Sequence, residues 1–359
     1  MKVLIVTPDL RLNGGVATFY RILQDHMKSC ADYFTIGRRV TDEPIWQKVC
    51  RPLRDYLHFY RVLRAEEPDI VHVNPSLGSR ALVRDGFLLV IAKMLGKKVL
   101  VFNHGWNLGY ENVIRERYLW LFRKVFFRAD AFIVLANCFR NHLADMGYEG
   151  PIYVETTAVD DSFSSECYRS SNGRKKTGDP FRILFLARIE KAKGIYEALD
   201  AYRIVKMGNP QATLTIAGDG SELEGSRAYV LARKIPDVTF AGYVQGEAKR
   251  AIYESADCYL FPSHSEGMPL TVLEAMVAGL PIVTTSVGAM PDFFENGKMG
   301  YMSDSPSPAV LADLLRQLMN DPVGSQARGL YNREYARRRF LSSSVAARLK
   351  AIYQDLLEK

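Results

Sequence analysis

The chain has 359 residues, 48% of them hydrophobic and 24% charged, which suits two globular domains and excludes a disordered, collagen-like or disulfide-stapled chain. The formal net charge of +7 favours anionic partners, namely phosphates, nucleic acid or a lipid surface. The five cysteines (Cys30, Cys50, Cys138, Cys167, Cys258) show neither C-x-x-C pairs nor metal-ligand spacing, as expected for reduced thiols in a cytoplasmic protein.

From the amino terminus, MKVLIV reads as a buried first strand, too short an apolar run for a signal peptide. Further β-branched runs follow at Ile70–Val73, Val99–Phe102, Ala131–Leu135 and Ile152–Val154. Continuous apolar character over four to six residues predicts strands buried on both faces of a parallel sheet. The segments Ala17–Met27, Asp85–Leu95 and Asn112–Arg128 have helical length and period. A second series of strands is predicted at Ile183–Leu186, Thr213–Ala217, Val238–Phe240, Cys258–Phe261 and Ile282–Thr284. Helices are predicted between and after them at Ile195–Met207, Leu223–Arg233, Gly246–Ser255, Leu270–Ala278 and Ala309–Met319. Two α/β blocks imply two doubly wound parallel-sheet domains of the Rossmann kind, at 1–165 and 178–341, joined by the polar stretch Ser162–Pro180. No apolar stretch is long enough to span a membrane, because Lys93, Lys97 and Lys98 break the longest candidate.

Ligands of such sheets bind beyond the carboxyl ends of strands, so the segments just after strands carry the chemistry. The richest is FPSHSEGMPLTVLEAMVAGLPIV, 261–283. A Ser/His/Gly loop leads into a helix starting near Pro269, and the free N–H groups of Gly267, Met268, Leu270 and Thr271 can cradle phosphate there. Glu266 and Glu274 lie in this segment, and ionised carboxylates accept hydroxyl hydrogen bonds from sugar or ribose well.

This Glu266-x7-Glu274 segment resembles the signature of the large bacterial family of retaining glycosyltransferases with the GT-B fold (group 1, family 4), two Rossmann-like domains facing a cleft. ARIEKAKGI, 187–195, resembles the family's basic stretch with Ala187 in place of its glycine, and puts Arg188 and Lys193 after a strand. The chain has no Asp-x-Asp, so the resemblance implies a metal-independent enzyme in which those two cations stabilise the departing diphosphate. The implied donor is a UDP- or GDP-linked sugar. Glu266 would hold the sugar, Glu274 the ribose, and His104, in FNHGWN, would orient the sugar from the first domain. Gly14 and Gly15, Gly218 in AGDGSEL, and Val244 after Gly242 and Tyr243 would approach the donor through their backbones. For Gly218 a plain tight turn is an equal reading. The implied acceptor is a glycan or polyprenyl-linked glycan of cell-surface polysaccharide synthesis, and helix 342–359 would pack back on the first domain.

Two basic segments interleaved with aromatics, Lys48–Arg64 and Arg115–Arg128, read either as helices packing rings on the sheet or as amphipathic helices lying on an anionic membrane at the inner face of the plasma membrane. Two other functions compete: a nucleotide-sugar epimerase on the same fold and a basic nucleic-acid-binding module. No nucleic-acid signature supports the second, and the G-x-G-x-x-G fingerprint of a dehydrogenase is absent.

Overall fold

The computed structural model describes residues 1–12, 14–37, 45–164 and 179–359, with the side chains of 45–49 and 79–80 also left aside. Asn13, Cys167, most of the expected linker, and the side chains of Trp46 and Lys48 therefore lie outside the described residues.

The chain divides into two compact units, Met1–Ala158 with Ser342–Lys359, and Val159–Leu341. The first unit thus closes at Ala158, before the expected 165, and the terminal helix is part of it.

The first unit is built on β1 (Val3–Thr7), β2 (Ala31–Thr35), β3 (Ile70–Val73), β4 (Lys98–Asn103), β5 (Ala131–Val134) and β6 (Ile152–Val154). They form one six-stranded sheet in the order β2-β1-β3-β4-β5-β6, with every pairing parallel. Val3–Val6, Ile70, Val71, Val99–Phe102 and Ala131–Val134 are all buried, as expected for strands covered by helices on both faces. Helix Ser342–Glu358 packs on helix Gly15–Met27 through a stripe of Val345, Leu349, Ile352 and Leu356, all buried. Each such side chain contributes roughly 1.5–3 kcal/mol.

The second unit holds β7 (Arg182–Leu186), β8 (Thr213–Ala217), β9 (Val238–Gly242), β10 (Cys258–Phe261), β11 (Ile282–Thr285) and β12 (Gly300–Ser303). Their order is β12-β11-β10-β7-β8-β9, again all parallel. Chain order reverses between β7 and β10 here, and between β1 and β3 in the first sheet. These reversals leave a crevice beyond the strand ends, because the connecting helices diverge to opposite faces. Two doubly wound sheets of this kind make the GT-B fold.

Segment 108–128 is not one straight helix. It runs as helix Leu108–Val113, a wide π-type turn Ile114–Tyr118 and helix Leu119–Phe126. Among the described residues, strands β2 and β12 and helices Asn137–Asp145, Met290–Phe293 and Pro322–Arg339 went unpredicted.

Candidate active site

The switch point of the second sheet is where the loops after β7 and β10 meet, and they meet backbone to backbone. Gly194 has φ +76, and a Cβ there would lie 2.0 Å from the Pro262 carbonyl oxygen, so only glycine permits this approach. The His264 N–H donates to the Ala192 carbonyl at 2.9 Å, and the Ser263 hydroxyl oxygen lies 3.1 Å from the same carbonyl. These contacts stitch the two loops together and fix where their side chains start.

Within that frame the Lys193 ammonium donates to Glu266 Oε1 at 2.5 Å, and the Ser263 hydroxyl donates to the same oxygen at 2.9 Å. Both partners of the pair are mostly buried, with 14% and 12% of their side chains exposed. Glu266 Oε2 accepts nothing among the described residues. One carboxylate oxygen is thus held by the protein while the other is open to a hydroxyl donor. Arg188, also after β7, is exposed and donates to Glu190 at 2.8 Å.

Helix Leu270–Val277 follows directly. The helix starts at Leu270, as the predicted range has it, and Pro269 is its N-cap (φ −74, ψ 105) rather than its first helical residue. The Pro269 carbonyl accepts from the Val272 N–H at 3.1 Å, while the Leu270 and Thr271 N–H groups before it have no intrahelical partner. The Thr271 hydroxyl is turned inward, sharing a hydrogen bond of 2.7 Å with buried Tyr259. Gly267 and Met268 lie between Glu266 and the helix, and the Gly267 carbonyl accepts from the Ala289 N–H at 2.8 Å.

Glu274 is placed differently from Glu266. It is 5% exposed, and Lys249 of helix Gly246–Ser255 reaches its two oxygens at 2.6 and 2.5 Å. The Tyr253 hydroxyl lies 3.0 Å from Oε2 and 3.0 Å from the Thr271 carbonyl. Burial pushes the Glu274 carboxyl above the usual carboxylate range, against the opposing pull of Lys249 and Tyr253. Three of its roughly four acceptor positions are already filled. Lys249 and Tyr253 carry no local sequence signal; only the fold brings them to Glu274.

The loop after β8 closes the same side. Gly218 has φ +130, and a Cβ there would fall 1.8 Å from the Ala187 carbonyl oxygen, so the approach that demands glycine is to the protein's own backbone. Its N–H donates to the Gly242 carbonyl at 2.7 Å, tying it to the end of β9, after which Val244 is half-buried. Arg188, Lys193, Gly218, Val244, Glu266–Thr271 and Glu274 thus all follow strands of the second unit.

Gly14, Gly15 and His104 belong to the first unit. Gly14 caps helix Gly15–Met27 in extended backbone (φ 169), and a Cβ at either glycine would meet nothing within 4 Å. Internal packing gives no reason for glycine at these positions. His104 follows β4, is half-buried, stacks on Phe102 at 3.8 Å between centroids, and has its Nε2 3.0 Å from Asn74 Oδ1. Burial, and next the neighbouring His72, hold its pKa far below the usual imidazole value, so the ring is neutral. The loop beyond it is anchored by buried Glu111, which accepts from Trp106 Nε1 at 2.5 Å and Arg115 Nε at 2.6 Å. His142 Nδ1 lies 2.8 Å from the same carboxylate.

The aromatic-basic segments divide their rings between core and surface. Phe59, Phe122 and Phe126 are buried, whereas Leu53, Leu57, Tyr60, Tyr118 and Trp120 are exposed. Among the described residues no helix is long and apolar enough to cross a membrane.

Comparison with known proteins gives a consistent picture. Residues 169–338 match the family described as "Glycosyl transferases group 1", and residues 22–163 match "Glycosyltransferase Family 4". The chain is 27% identical over 238 residues to a glycogen synthase of Mycobacterium tuberculosis, covering 65% of this chain and 55% of that protein. It is 25% identical over 255 residues to a putative colanic acid biosynthesis glycosyltransferase, WcaL, of Salmonella typhimurium, covering 69% and 60%. The chain therefore spans little more than half the length of these curated relatives. Among solved structures, a sucrose-phosphate synthase from Thermosynechococcus elongatus superposes with a TM-score of 0.76 at 16% identity, covering 99% of each chain. Anabaena HepE in complex with UDP-glucose superposes with a TM-score of 0.73 at 16% identity, covering 99% of this chain and 100% of that one.

Proposed function

Because the chain belongs to the group 1/family 4 glycosyltransferases with the GT-B fold, we propose that it transfers a hexosyl unit from a nucleoside-diphosphate sugar to a glycan or lipid-linked glycan acceptor. The relatives named for glycogen and colanic acid synthesis and the neighbour bound to UDP-glucose support a sugar-nucleotide donor and a polysaccharide-building role. The observation that carries the reading is the Lys193–Glu266 pair at the switch point of the second sheet, with one carboxylate oxygen committed and one open. Beside it stands the amino end of helix Leu270–Val277, whose N–H groups and dipole favour a phosphate.

In this reading transfer proceeds with retention, and the departing phosphate takes the acceptor's proton on the face where the acceptor enters. Arg188, Lys193 and the helix amino end stabilise the leaving charge without a divalent cation. Glu266 Oε2 accepts a sugar hydroxyl, and the one acceptor position left open on Glu274 takes a ribose hydroxyl. The test is a thermal-shift screen of UDP, GDP and their sugars, followed by transfer assays with and without EDTA. A stabilising sugar nucleotide and EDTA-resistant transfer are expected. Strict metal dependence defeats the cation argument, and isomerisation of the donor without acceptor replaces transfer by epimerisation.

An anionic lipid surface is the proposed partner of the first unit. Helix Ile45–Glu66 exposes Leu53 (66%), Leu57 and Tyr60 beside Arg54, Arg61 and Arg64. Helix Ser79–Met94 packs against both it and helix Leu119–Phe126 and adds exposed Val83, Phe87 and Met94, while helix Leu119–Phe126 exposes Trp120. Apolar side chains rimmed by arginines match a negatively charged bilayer, each basic residue contributing about 1 kcal/mol. Flotation with phosphatidylglycerol vesicles at low salt is the check, and absence of binding removes the membrane.

A further inference from the structure

Five side chains of the first unit form one hydrogen-bonded chain whose proton positions are all set by a single backbone carbonyl. Asn74, at the end of β3, donates its Nδ2 to the Val6 carbonyl of β1 at 2.9 Å. A carbonyl only accepts, so the other end of that amide is the oxygen, which also only accepts. Two groups therefore donate to Asn74 Oδ1: the Tyr20 hydroxyl at 2.8 Å and His104 Nε2 at 3.0 Å. With its proton spent, the Tyr20 oxygen accepts from His72 Nε2 at 3.2 Å, and His72 Nδ1 in turn accepts from the Tyr353 hydroxyl at 2.7 Å. Tyr20, His72 and Asn74 are buried, and they span the switch point between β1 and β3. His104 Nδ1 makes no hydrogen bond among the described residues.

We propose that Asn74 is a positioning residue that locks His104 in its Nε2–H tautomer, so that the bare Nδ1 nitrogen is presented as an acceptor to a donor-sugar hydroxyl. The identity of that hydroxyl rests on the glycosyltransferase reading; the lock does not. A neutral imidazole with a free tautomer offers an acceptor only part of the time. The amide removes that ambiguity without adding charge.

Side-chain 15N NMR of the full chain tests the lock without substrate, with His104→Gln identifying the resonance. The wild-type protein at pH 7.5 is expected to show a pure Nε2–H pattern, and Asn74→Leu a mixture of tautomers. Tyr20→Phe leaves Asn74 in place and should keep the pure pattern. A wild-type Nδ1–H pattern, or an Asn74→Leu spectrum like wild type, overturns the lock. In transfer assays Asn74→Leu should lower kcat about five- to tenfold with nucleoside-diphosphate affinity unchanged. Turnover within twofold of wild type overturns the presentation of Nδ1. If the wild-type protein binds no sugar nucleotide at all, the transferase reading falls, while the spectra still decide whether Asn74 sets the tautomer.

Discussion

Acid should loosen the first unit through His72. This imidazole is fully buried, and burial lowers its pKa from 6.5 to about 3. The unfolded chain takes up a proton near 6.5 and the folded one only near 3, so the unfolded state binds more protons throughout that window. Stability is therefore complete above about pH 6.5 and falls by about 1.4 kcal/mol per unit as the pH drops below it. Between pH 7.5 and 5.0 the loss from this residue amounts to about 2 kcal/mol. His104, lowered by its own burial, acts in the same direction. All three tryptophans (Trp46, Trp106, Trp120) lie in the first unit, so urea unfolding followed by tryptophan fluorescence reports on it selectively. His72→Phe is less stable at every pH, because the Tyr20 and Tyr353 hydroxyls lose a partner. Its free energy should nevertheless vary less between pH 7.5 and 5.0, by that same 2 kcal/mol or so. Equal pH dependence in the two proteins would refute the claim that His72 is held neutral by burial.

Charge-assisted hydrogen bonds contribute roughly 1.5–3 kcal/mol, so Glu266→Ala, Lys193→Ala and Arg188→Ala should each slow transfer about ten- to a hundredfold with melting temperature little changed for Arg188; steady-state kinetics check this, and wild-type turnover in Glu266→Ala removes the mechanism. Lys249→Ala strands a buried carboxylate and should destabilise the second unit by about 3–5 kcal/mol, most of it recovered in the double variant with Glu274→Gln, as read by chemical denaturation. Gly218→Ala, with its Cβ 1.8 Å from a carbonyl oxygen, should cost about 3 kcal/mol or more of folding stability. Gly15→Ala, whose Cβ meets nothing within 4 Å, should melt no lower than wild type yet raise KM for the donor.

The strands legible in sequence are chiefly those covered on both faces, where burial forces an unbroken apolar run: β1, β3, β4, β5, β7, β8, β10 and β11. Strands β2 and β12 are sheet edges, and ADYFT buries only Ala31 and Phe34 while GYMS buries only Gly300. Helix Pro322–Arg339 escaped for a different reason. Its buried positions are Ser325, Gly329, Asn332 and Ala336, a helical stripe of small side chains rather than apolar ones. A Cβ at Gly329 would lie 2.1 Å from the Gly279 carbonyl oxygen, so this helix packs against Leu270–Val277 by close backbone approach, which hydropathy does not register. Candidate residues after strands were readable because a parallel sheet gathers those loops at one edge. Tyr20, His72, Asn74 and Tyr353 were not, since their partnership spans more than 300 positions and follows no local spacing.

The two glutamates of one motif illustrate how environment divides chemically identical groups. Glu274, on the inner face of its helix, meets a buried ammonium and a phenol, so its charge is consumed in holding helices Gly246–Ser255 and Leu270–Val277 together. Glu266 precedes that helix in a loop, and only its Oε1 is tied down. A ligand hydroxyl can therefore bind Oε2 without displacing Lys193, whose remaining protons stay available to a phosphate oxygen. In the proposed reaction a single ammonium would then bridge the carboxylate that binds the sugar and the diphosphate that leaves it. On that proposal the cation would need no rearrangement as negative charge develops, because Glu266, itself held by Ser263, already fixes its position, and such prior organisation makes electrostatic stabilisation effective.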